Sequence, residues 1–217
     1  FCQQYGMTET TGTIVYLPPE DHDPAGNQRM RAAGLPLPGV EIKVVDADGN
    51  ELPRGEVGEV ATRSYANMAG YWKLDEATRA TVAEDGWLRT GDAGYMDADG
   101  YLFIQDRVKD MIISGGENVY PAEVESAVYG HPAVAEVAVI GVPDEKWGEA
   151  VKAVVVARPG MTIDPEDIIA FARSRIASFK APKSVDIIAA LPRNASGKIL
   201  RRELREPYWA GKTRRVN

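Results

Sequence analysis

The stretch from Asp106 to Glu125 constrains the fold of this chain more than any other part of the sequence. Its letters, DRVKDMIISGGENVYPAEVE, pass from a charged cluster through a short apolar run and a Ser-Gly-Gly turn into a helix start. Pro121 is typical of a first helical turn, where its missing N–H has no partner to lose and nearby acids favour the helix dipole. Strand, turn and helix follow without a spacer. The stretch therefore predicts a joint that also carries a site.

The sequence has a different character on the two sides of this joint. Before it, short alternating segments separated by turns such as Asp46–Gly49 predict a small β-rich subdomain, either a sheet or a distorted barrel. After it, helices alternate with valine-rich strands, which is typical of a small α+β domain. We therefore predict an α+β chain of two parts, with the boundary near Asp106–Lys109.

Local signals predict the individual elements. The predicted strands are Val40–Val45, Gly58–Arg63, Trp87–Thr90, Gly94–Met96, Tyr101–Ile104, Val134–Val142, Ala150–Ala157 and Ser184–Ala189. The predicted helices are Asp75–Val82, Pro121–Tyr129, Asp164–Ile176 and Arg202–Tyr208. Asp75 is the predicted cap of the first helix, and residues 18–28 are a predicted surface loop.

Composition excludes several classes of protein. A net charge of −7 and a pI of about 5.0 argue against a general nucleic-acid binder. The single cysteine, Cys2, excludes an internal disulfide framework and favours a reducing cytoplasm. No apolar run reaches the roughly 18 residues of a membrane span, which predicts the absence of an integral membrane segment. Because Phe1 opens as if in the middle of a strand, we expect a fragment of a longer polypeptide.

Two segments before the joint carry groups suited to a nucleotide. In Tyr5–Gly12 (YGMTETTG) the glycines let backbone approach a ligand, the threonines can donate to phosphate oxygens and Glu9 can hold magnesium. In Trp87–Asp92 (WLRTGD), Asp92 can accept hydrogen bonds from two vicinal hydroxyls, as on a ribose. Taken alone, the first segment is more simply a polar turn, and the second an aspartate that caps its own turn.

Two further segments carry groups suited to anions. Arg107 offers a fork of donors to a ribose or phosphate, and Gly115–Gly116 permits close passage of a ligand. A charged surface hairpin before a helix explains the same residues. Lys198 follows a flexible turn from which its ammonium can reach an oxygen that gains negative charge. Residues 198–217 contain seven Lys or Arg against two Glu, so a solvated basic tail is the alternative.

In their order and wording the four segments resemble the AMP-forming adenylating enzymes, which include acyl-CoA synthetases, peptide-synthetase adenylation domains and firefly luciferase. The resemblance runs from Tyr5 to about Arg205 and depends on the ordered set rather than on any one motif. It implies that residues 1–106 are the end of an N-terminal domain with its β-rich subdomain. Residues 107–217 would form the C-terminal α+β lid domain, with a hinge near Lys109.

The resemblance also implies roles in binding ATP and AMP for residues of the first segment. Tyr5, with Gly6 beside it, would lie against the adenine. Thr8 would touch the phosphate in the catalytic step, and Glu9 would be the residue that holds magnesium.

Three later residues complete the implied nucleotide and catalytic set. Asp92 would accept the ribose hydroxyls, and Arg107 would lie beside it. Lys198 would bridge the substrate carboxylate and the phosphate during adenylation.

A second group of residues is implied in binding coenzyme A. The Gly115–Gly116 turn would line the path of the pantetheine after the lid domain has rotated. Phe179, Lys180 and Lys183 resemble the patch where some acyl-CoA synthetases hold the CoA nucleotide. Ala181 departs from relatives that have an arginine at that position.

The implied activity is that of an acyl-CoA synthetase, which joins a carboxylic acid, here a fatty or other hydrophobic acid, to AMP and then to CoA. An adenylation domain that loads a carrier protein is one alternative, and a non-catalytic binding module is another. The wording of Asp110–Pro121 and Pro143–Glu149 is similar to that of stand-alone CoA ligases. The family's phosphate loop and acyl pocket should precede Tyr5, so we expect the isolated chain to be inactive. A homodimer stays open as its assembly state.

Overall fold

The computed structural model describes residues 1–23 and 25–212. The chain divides into two compact units, a first unit of Phe1–Val108 and a second unit that begins at Lys109. No helix in the described residues is long and apolar enough to cross a membrane.

The first unit is built from short antiparallel strands. Its strands are β1 (Gln3–Met7), β2 (Gly12–Leu17), β3 (Leu35–Pro36), β4 (Glu41–Val45), β5 (Gly58–Arg63), β6 (Leu88–Met96) and β7 (Leu102–Arg107), and its helix is α1 (Asp75–Thr81). Strands β1–β3 form one sheet in chain order, and β4–β7 form a second, also in chain order. Short 3₁₀ turns at Thr8–Thr10, Pro19–Asp21 and Gln28–Arg31 connect the early elements.

The two sheets of this unit are open, so the distorted barrel is not what the described residues form. They meet at one β-bridge, where Gly34 pairs with Leu102. Between them lies an apolar core, whose fully buried members include Ile14, Val60 and Leu102. Burial of alternate strand residues therefore holds the unit together without closure of a ladder.

Two local predictions for the first unit are wrong in detail. The separate strands Trp87–Thr90 and Gly94–Met96 are one continuous strand, β6, whose register with β7 shifts between Ala93 and Gly94. A β-bulge of this kind interrupts the alternation from which the strands were predicted. Helix α1 begins at Asp75, but Leu74 is the capping residue and forms no side-chain cap, so Asp75 lies inside the first turn.

The second unit follows the predicted alternation of strand and helix, with one addition. Its elements are β8 (Ile112–Ser114), β9 (Glu117–Val119), α2 (Pro121–Tyr129), β10 (Val134–Asp144), β11 (Gly148–Ala157), α3 (Pro165–Arg173), β12 (Ser184–Ile187) and α4 (Arg201–Trp209). The sequence did not predict β9, which forms a hairpin with β8. The sheet runs β10-β11-β8-β9, and β12 pairs in parallel with β11.

Alternation along β10 divides the core of the second unit between the two faces of its sheet. Val137 and Val139 belong to the core that also contains Val124 of α2 and Ile168 of α3. Ala138, Ile140 and Val142 belong to a second core, against which Leu204 and Tyr208 of α4 pack. The sheet is thus covered by helices on both faces, which confirms the α+β class.

Candidate active site

The first unit brings together three of the predicted nucleotide residues, named here the Tyr5–Asp92–Arg107 cluster. Asp92 of β6 and Arg107 of β7 are direct partners across the antiparallel ladder. The Tyr5 hydroxyl donates to Oδ2 of Asp92 at 2.7 Å. Nε of Arg107 lies 3.0 Å from Oδ1 of the same carboxylate. Asp92 is buried, so these two partners offset the cost of removing its charge from water.

The protonation of Tyr5 suits this arrangement. Burial raises the pKa of Tyr5 well above its ordinary value, and the hydrogen bond to the Asp92 carboxylate raises it further. Tyr5 is therefore a hydrogen-bond donor at neutral pH. Each carboxylate oxygen of Asp92 has two lone pairs. The carboxylate can therefore still accept hydrogen bonds from two vicinal hydroxyls.

The turn after β1 holds Thr8 and Glu9. Both lie in the 3₁₀ turn Thr8–Thr10, where Thr8 is exposed and Glu9 half-buried. Oε1 of Glu9 accepts a hydrogen bond from the Tyr71 hydroxyl at 2.9 Å. The Glu9 backbone carbonyl accepts from the Met68 backbone N–H at 2.8 Å. The turn is thus fixed at both side chain and backbone, and Thr8 faces solvent beside it.

Glu9 does not belong to a ready-made metal cage. In residues 1–23 and 25–212 no group of three or more His, Cys, Asp or Glu side chains could hold a metal ion. Magnesium commonly takes one or two protein carboxylates and completes its octahedron with water and substrate phosphates. A single Glu9 carboxylate fits that pattern.

The structure explains why residue 6 is a glycine without reference to a ligand. A Cβ built on Gly6 would lie 1.9 Å from the carbonyl oxygen of Gly12 on the neighbouring strand. Strands β1 and β2 pair here next to a register shift. Only glycine therefore allows this approach. Gly6 and Gly12, together with Tyr5 and Thr8, line an open depression of about 410 Å³.

In the second unit the two predicted glycines form the turn between β8 and β9, and they differ from each other. Gly115 and Gly116 have φ values of 63° and 87°, which is the left-handed region that favours glycine. Gly115 donates its N–H to the Trp147 carbonyl at 2.9 Å, and a Cβ on it would lie 2.7 Å from the indole. A Cβ on Gly116 would meet nothing within 4 Å among the described residues. Gly115 supports the turn, and Gly116 faces open space.

The two lysines of the predicted CoA patch differ in their contacts: Lys180 forms an ion pair, whereas Lys183 bonds to a backbone carbonyl. Lys180 Nζ donates to both carboxylate oxygens of Glu123 in α2, at 2.7 and 2.9 Å. Lys183 Nζ donates to the Ser178 carbonyl at 3.3 Å. Burial lowers the pKa of Lys183, and the nearby Arg173 lowers it further. Phe179 is exposed beside them.

Trp147 is a residue that sequence reasoning missed. Its ring is 40% exposed and packs beside Gly115. The ammonium groups of Lys146 and Lys183 lie 4.6 and 6.0 Å from its centroid. A large aromatic side chain in the otherwise polar run Pro143–Glu149 was the available signal. The structure therefore places an aromatic face and two cations next to the Gly115–Gly116 turn.

Lys198 and Lys109 are both exposed. Lys198 lies in a turn, Arg193–Ile199, that is closed by a β-bridge between its two ends; we call it the Lys198 turn. Lys109 lies in the short 3₁₀ segment Val108–Asp110, at the division between the two units.

Two family models match this chain. Residues 1–72 match the AMP-binding enzyme family, and residues 123–198 match the C-terminal domain of AMP-binding enzymes. The two matches together span well over half of the chain and follow the order expected within one protein. The chain therefore belongs to the AMP-binding enzyme family.

Similar proteins include ligases with two kinds of thiol acceptor. The fatty acid–[acyl-carrier-protein] ligase ScoC of Streptomyces coeruleorubidus is 54% identical over 217 residues, which cover 100% of this chain and 41% of that protein. The long-chain-fatty-acid–CoA ligase FadD13 of Mycobacterium tuberculosis is 46% identical over 208 residues, covering 96% of this chain and 40% of that protein.

Solved structures show the same fold. ATP-bound MatB from Rhodopseudomonas palustris matches with a TM-score of 0.85 and 41% identity over 95% of this chain and 40% of its own. The o-succinylbenzoate CoA synthetase MenE from Bacillus subtilis, in complex with its acyl-adenylate OSB-AMP, matches with a TM-score of 0.85 and 41% identity over 94% of this chain and 40% of its own. The chain thus spans about two fifths of the length of the relatives that it matches.

Proposed function

We propose that this chain belongs to an AMP-forming acid–thiol ligase that acts on a fatty or other hydrophobic carboxylic acid. The acid would first attack the α-phosphate of ATP, forming acyl-AMP and releasing pyrophosphate. A thiol would then attack the acyl carbon, forming a thioester and releasing AMP. The observation that carries the proposal is the Tyr5–Asp92–Arg107 cluster, because it brings together an aromatic ring, a carboxylate that can accept from ribose hydroxyls and a cation.

Within the first unit each role follows from what the side chain can do. The ring of Tyr5 would lie against the adenine, and its hydroxyl would keep Asp92 in place to accept the two ribose hydroxyls. Arg107 would pair with that carboxylate and contribute its remaining donors to the nucleotide. Thr8 would donate to a phosphate oxygen.

Magnesium fits the same turn. Glu9 would hold the ion, which supplies charge neutralisation of the phosphates when bound. Tyr71 would keep the Glu9 carboxylate oriented, since it donates to Oε1 and leaves Oε2 for another partner.

The second unit would supply different groups to the two steps. Lys198 would lie between the carboxylate and the phosphate in adenylation, where two anions must approach each other. Gly116 would line the path of the thiol in thioester formation. A rotation about Lys109 would exchange them, and Lys109→Pro should impair thioester formation more than adenylation, because proline restricts the backbone at the joint.

Coenzyme A is the proposed acceptor. The exposed face of Trp147, with Lys146 and Lys183 above or beside it, is suited to an adenine ring and to phosphates. A carrier protein that bears phosphopantetheine is the second candidate, because ScoC, at 54% identity, is named for that acceptor. A binding module without catalysis is the third candidate, and it would not need Lys198, the lysine proposed to act between two reacting anions.

The test uses the full-length protein, a panel of fatty and aromatic acids, and each acceptor separately. Acid-dependent exchange of pyrophosphate into ATP establishes adenylation. Thioester formation with CoA alone supports the leading proposal, and formation only with phosphopantetheinylated carrier protein supports the second. A protein that binds ATP but exchanges no pyrophosphate with any acid would be a binding module, and the enzymatic proposal would fail.

A further inference from the structure

The Lys198 turn has an internal organisation that the proposed catalytic role does not explain. Its ends are paired by the bridge between Arg193 and Ile199, and the Asn194 backbone N–H donates to the Lys198 carbonyl at 2.9 Å. The Leu200 N–H donates to the Pro192 carbonyl at 2.8 Å. The backbone is therefore closed into a small loop, although most of its residues are exposed.

One side chain makes three hydrogen bonds within this loop. Oδ1 of Asn194 accepts three hydrogen bonds: from the Ser196 backbone N–H at 3.1 Å, from the Ser196 hydroxyl at 2.8 Å and from the Lys198 backbone N–H at 2.8 Å. An asparagine that bonds only to the residue two positions ahead is an ordinary turn former. The third bond reaches the fourth residue along the chain, as the Asp46 and Asp97 side chains also do in their hairpin turns. Here that fourth residue is Lys198, which carries the ammonium.

A second set of contacts, made by the Arg193 side chain, connects the loop to β10. Nη1 of Arg193 donates to the Gly197 carbonyl at 2.7 Å, and its Nη2 pairs with Glu136 of β10. Side chains of this pair are about two fifths exposed, so solvent and salt weaken it.

The segment after the turn is held more firmly. Arg201, in the first turn of α4, donates to both carboxylate oxygens of Glu125, with Nη2 at 2.9 and 2.8 Å from them. A bidentate guanidinium–carboxylate pair fixes orientation as well as distance. The segments on either side of the loop are thus paired with neighbouring elements, and within the loop the Lys198 backbone bonds to Asn194 through both its N–H and its carbonyl.

We propose that Asn194 is a positioning residue for Lys198, holding the backbone of the lysine so that its ammonium enters the adenylation site in one orientation. This inference rests on the role of Lys198 in the proposed function. A lysine has a long stem with several rotatable bonds, so its head is placed accurately only if its Cα is fixed. Displacement of a reacting or charge-stabilising group by about 1 Å can cost a factor of about 100 in rate.

The experiment compares Asn194→Ala with Asn194→Asp in the full-length protein. Alanine removes the acceptor of all three hydrogen bonds, whereas aspartate keeps an oxygen at the same position. We expect Asn194→Ala to lower kcat of adenylation about 10-fold, with the KM for ATP unchanged, because water replaces part of what is lost at an exposed loop. Asn194→Asp should stay within about 3-fold of the wild type. Ser196→Ala, which removes one of the three bonds, should cost about 2-fold.

A double-mutant cycle with Lys198→Ala separates positioning from a general structural effect. If Asn194 acts through Lys198, adding Asn194→Ala to Lys198→Ala causes no further loss of adenylation. Thioester formation from supplied acyl-AMP, measured on the same preparations, should be unchanged and shows that each variant is folded.

Four results would overturn the positioning role. They are an unchanged kcat in Asn194→Ala, an equal defect in Asn194→Asp, an equal loss in the Lys198→Ala background, and a parallel loss of both half-reactions. If Lys198→Ala alone leaves adenylation unchanged, the proposed function of Lys198 fails, and the inference about Asn194 fails with it. The single Lys198 variant therefore identifies which of the two proposals is wrong.

Discussion

The two units hold their candidate functional groups in opposite ways. In the first unit Asp92 is buried and both of its carboxylate oxygens are engaged, by Tyr5 and by Arg107. In the second unit Lys198 and Gly116 are exposed on turns. A buried carboxylate must be paired before it meets a ligand, because an unpaired one would cost several kcal/mol. An exposed lysine carries no such cost.

This difference is consistent with the division of labour proposed for the two steps. A nucleotide that stays bound through both steps is best served by a cluster that does not rearrange. Groups that act in only one step must enter and leave, and solvent-exposed turns on a stable frame permit this. The following four variants test the comparison, from the largest expected effect to the smallest.

Replacement of Lys198 should have the largest effect and should affect one step only. We expect Lys198→Ala to lower the rate of pyrophosphate exchange by about 10²–10³-fold, the usual cost of removing one group that stabilises transition-state charge. Thioester formation from supplied acyl-AMP should be unaffected. Lys212→Ala, at another exposed lysine of the same unit, is the matched control. An equal loss of both half-reactions would show that the two faces are not separate.

Replacement of Asp92 should weaken nucleotide binding. Asp92→Asn keeps an acceptor for Tyr5 but removes the charge that faces Arg107, so we expect the KM for ATP to rise about 10- to 100-fold, the range for a lost charged hydrogen-bonding partner. The control is Asp99→Asn, which removes an exposed partner of Arg29 and should change nothing measurable. Equal KM values in the two variants would contradict a nucleotide role for the cluster.

Substitution at Gly116 should affect the opposite step from Lys198. Asparagine tolerates the left-handed backbone better than other non-glycine residues, so Gly116→Asn introduces a side chain into open space with less backbone strain than most substitutions. If Gly116 lines the thiol path, thioester formation should fall about 10-fold and adenylation should not change. Gly160→Asn is the matched control, since Gly160 has a φ of 76° and also faces open space. A defect shared by both variants would indicate backbone strain alone.

The smallest effect concerns the frame that supports the Lys198 turn. Tyr208 of α4 donates to Asp186, which also pairs with Lys152 Nζ at 2.6 Å. Burial and this carboxylate raise the pKa of Tyr208 to about 12. A folded-state pKa above the unfolded value means that the stabilisation is complete below about pH 10 and is lost as the pH rises toward 12.

When the pH is raised from about 10 to about 12, the unfolding free energy of Tyr208→Phe should therefore fall less than that of the wild type. We expect a difference of about 1 kcal/mol in the change of unfolding free energy, a value reduced because the group is partly exposed. Denaturant titrations at about pH 9 and about pH 11.5 measure it. Tyr129→Phe, at a tyrosine that is 56% exposed, is the control. If the unfolding free energy depends on pH in the same way in all three proteins, the Tyr208 pKa does not contribute to stability in this range.

The sequence predicted elements best where local pattern and burial agree. Helix Pro121–Tyr129 has both predicted boundaries, because proline at its start and Gly130 at its end are strong signals. The valine-rich strands β10 and β11 were also predicted, and each extends two residues beyond a predicted boundary. Strand β9 was missed, since its three residues, Glu-Asn-Val, are mostly polar and exposed and form a strand only by pairing with β8.

The sequence by itself determined which chemical groups this chain carries and the order in which they occur. These groups lie in local sequence patterns that can be recognised without a structure. The patterns are Thr90-Gly91-Asp92, Asp106-Arg107, Gly115-Gly116 and Gly197-Lys198. Their order along the chain indicated the family that the comparisons then showed.

Only the tertiary structure decided which of these groups meet and which are used elsewhere. Tyr5 and Asp92 are 87 residues apart and touch because the first unit packs its two sheets on a common core. Lys180 pairs with Glu123, and Gly6 is required by its neighbouring strand. The physical reason is that such contacts depend on register and packing between distant segments, and no local periodicity encodes them.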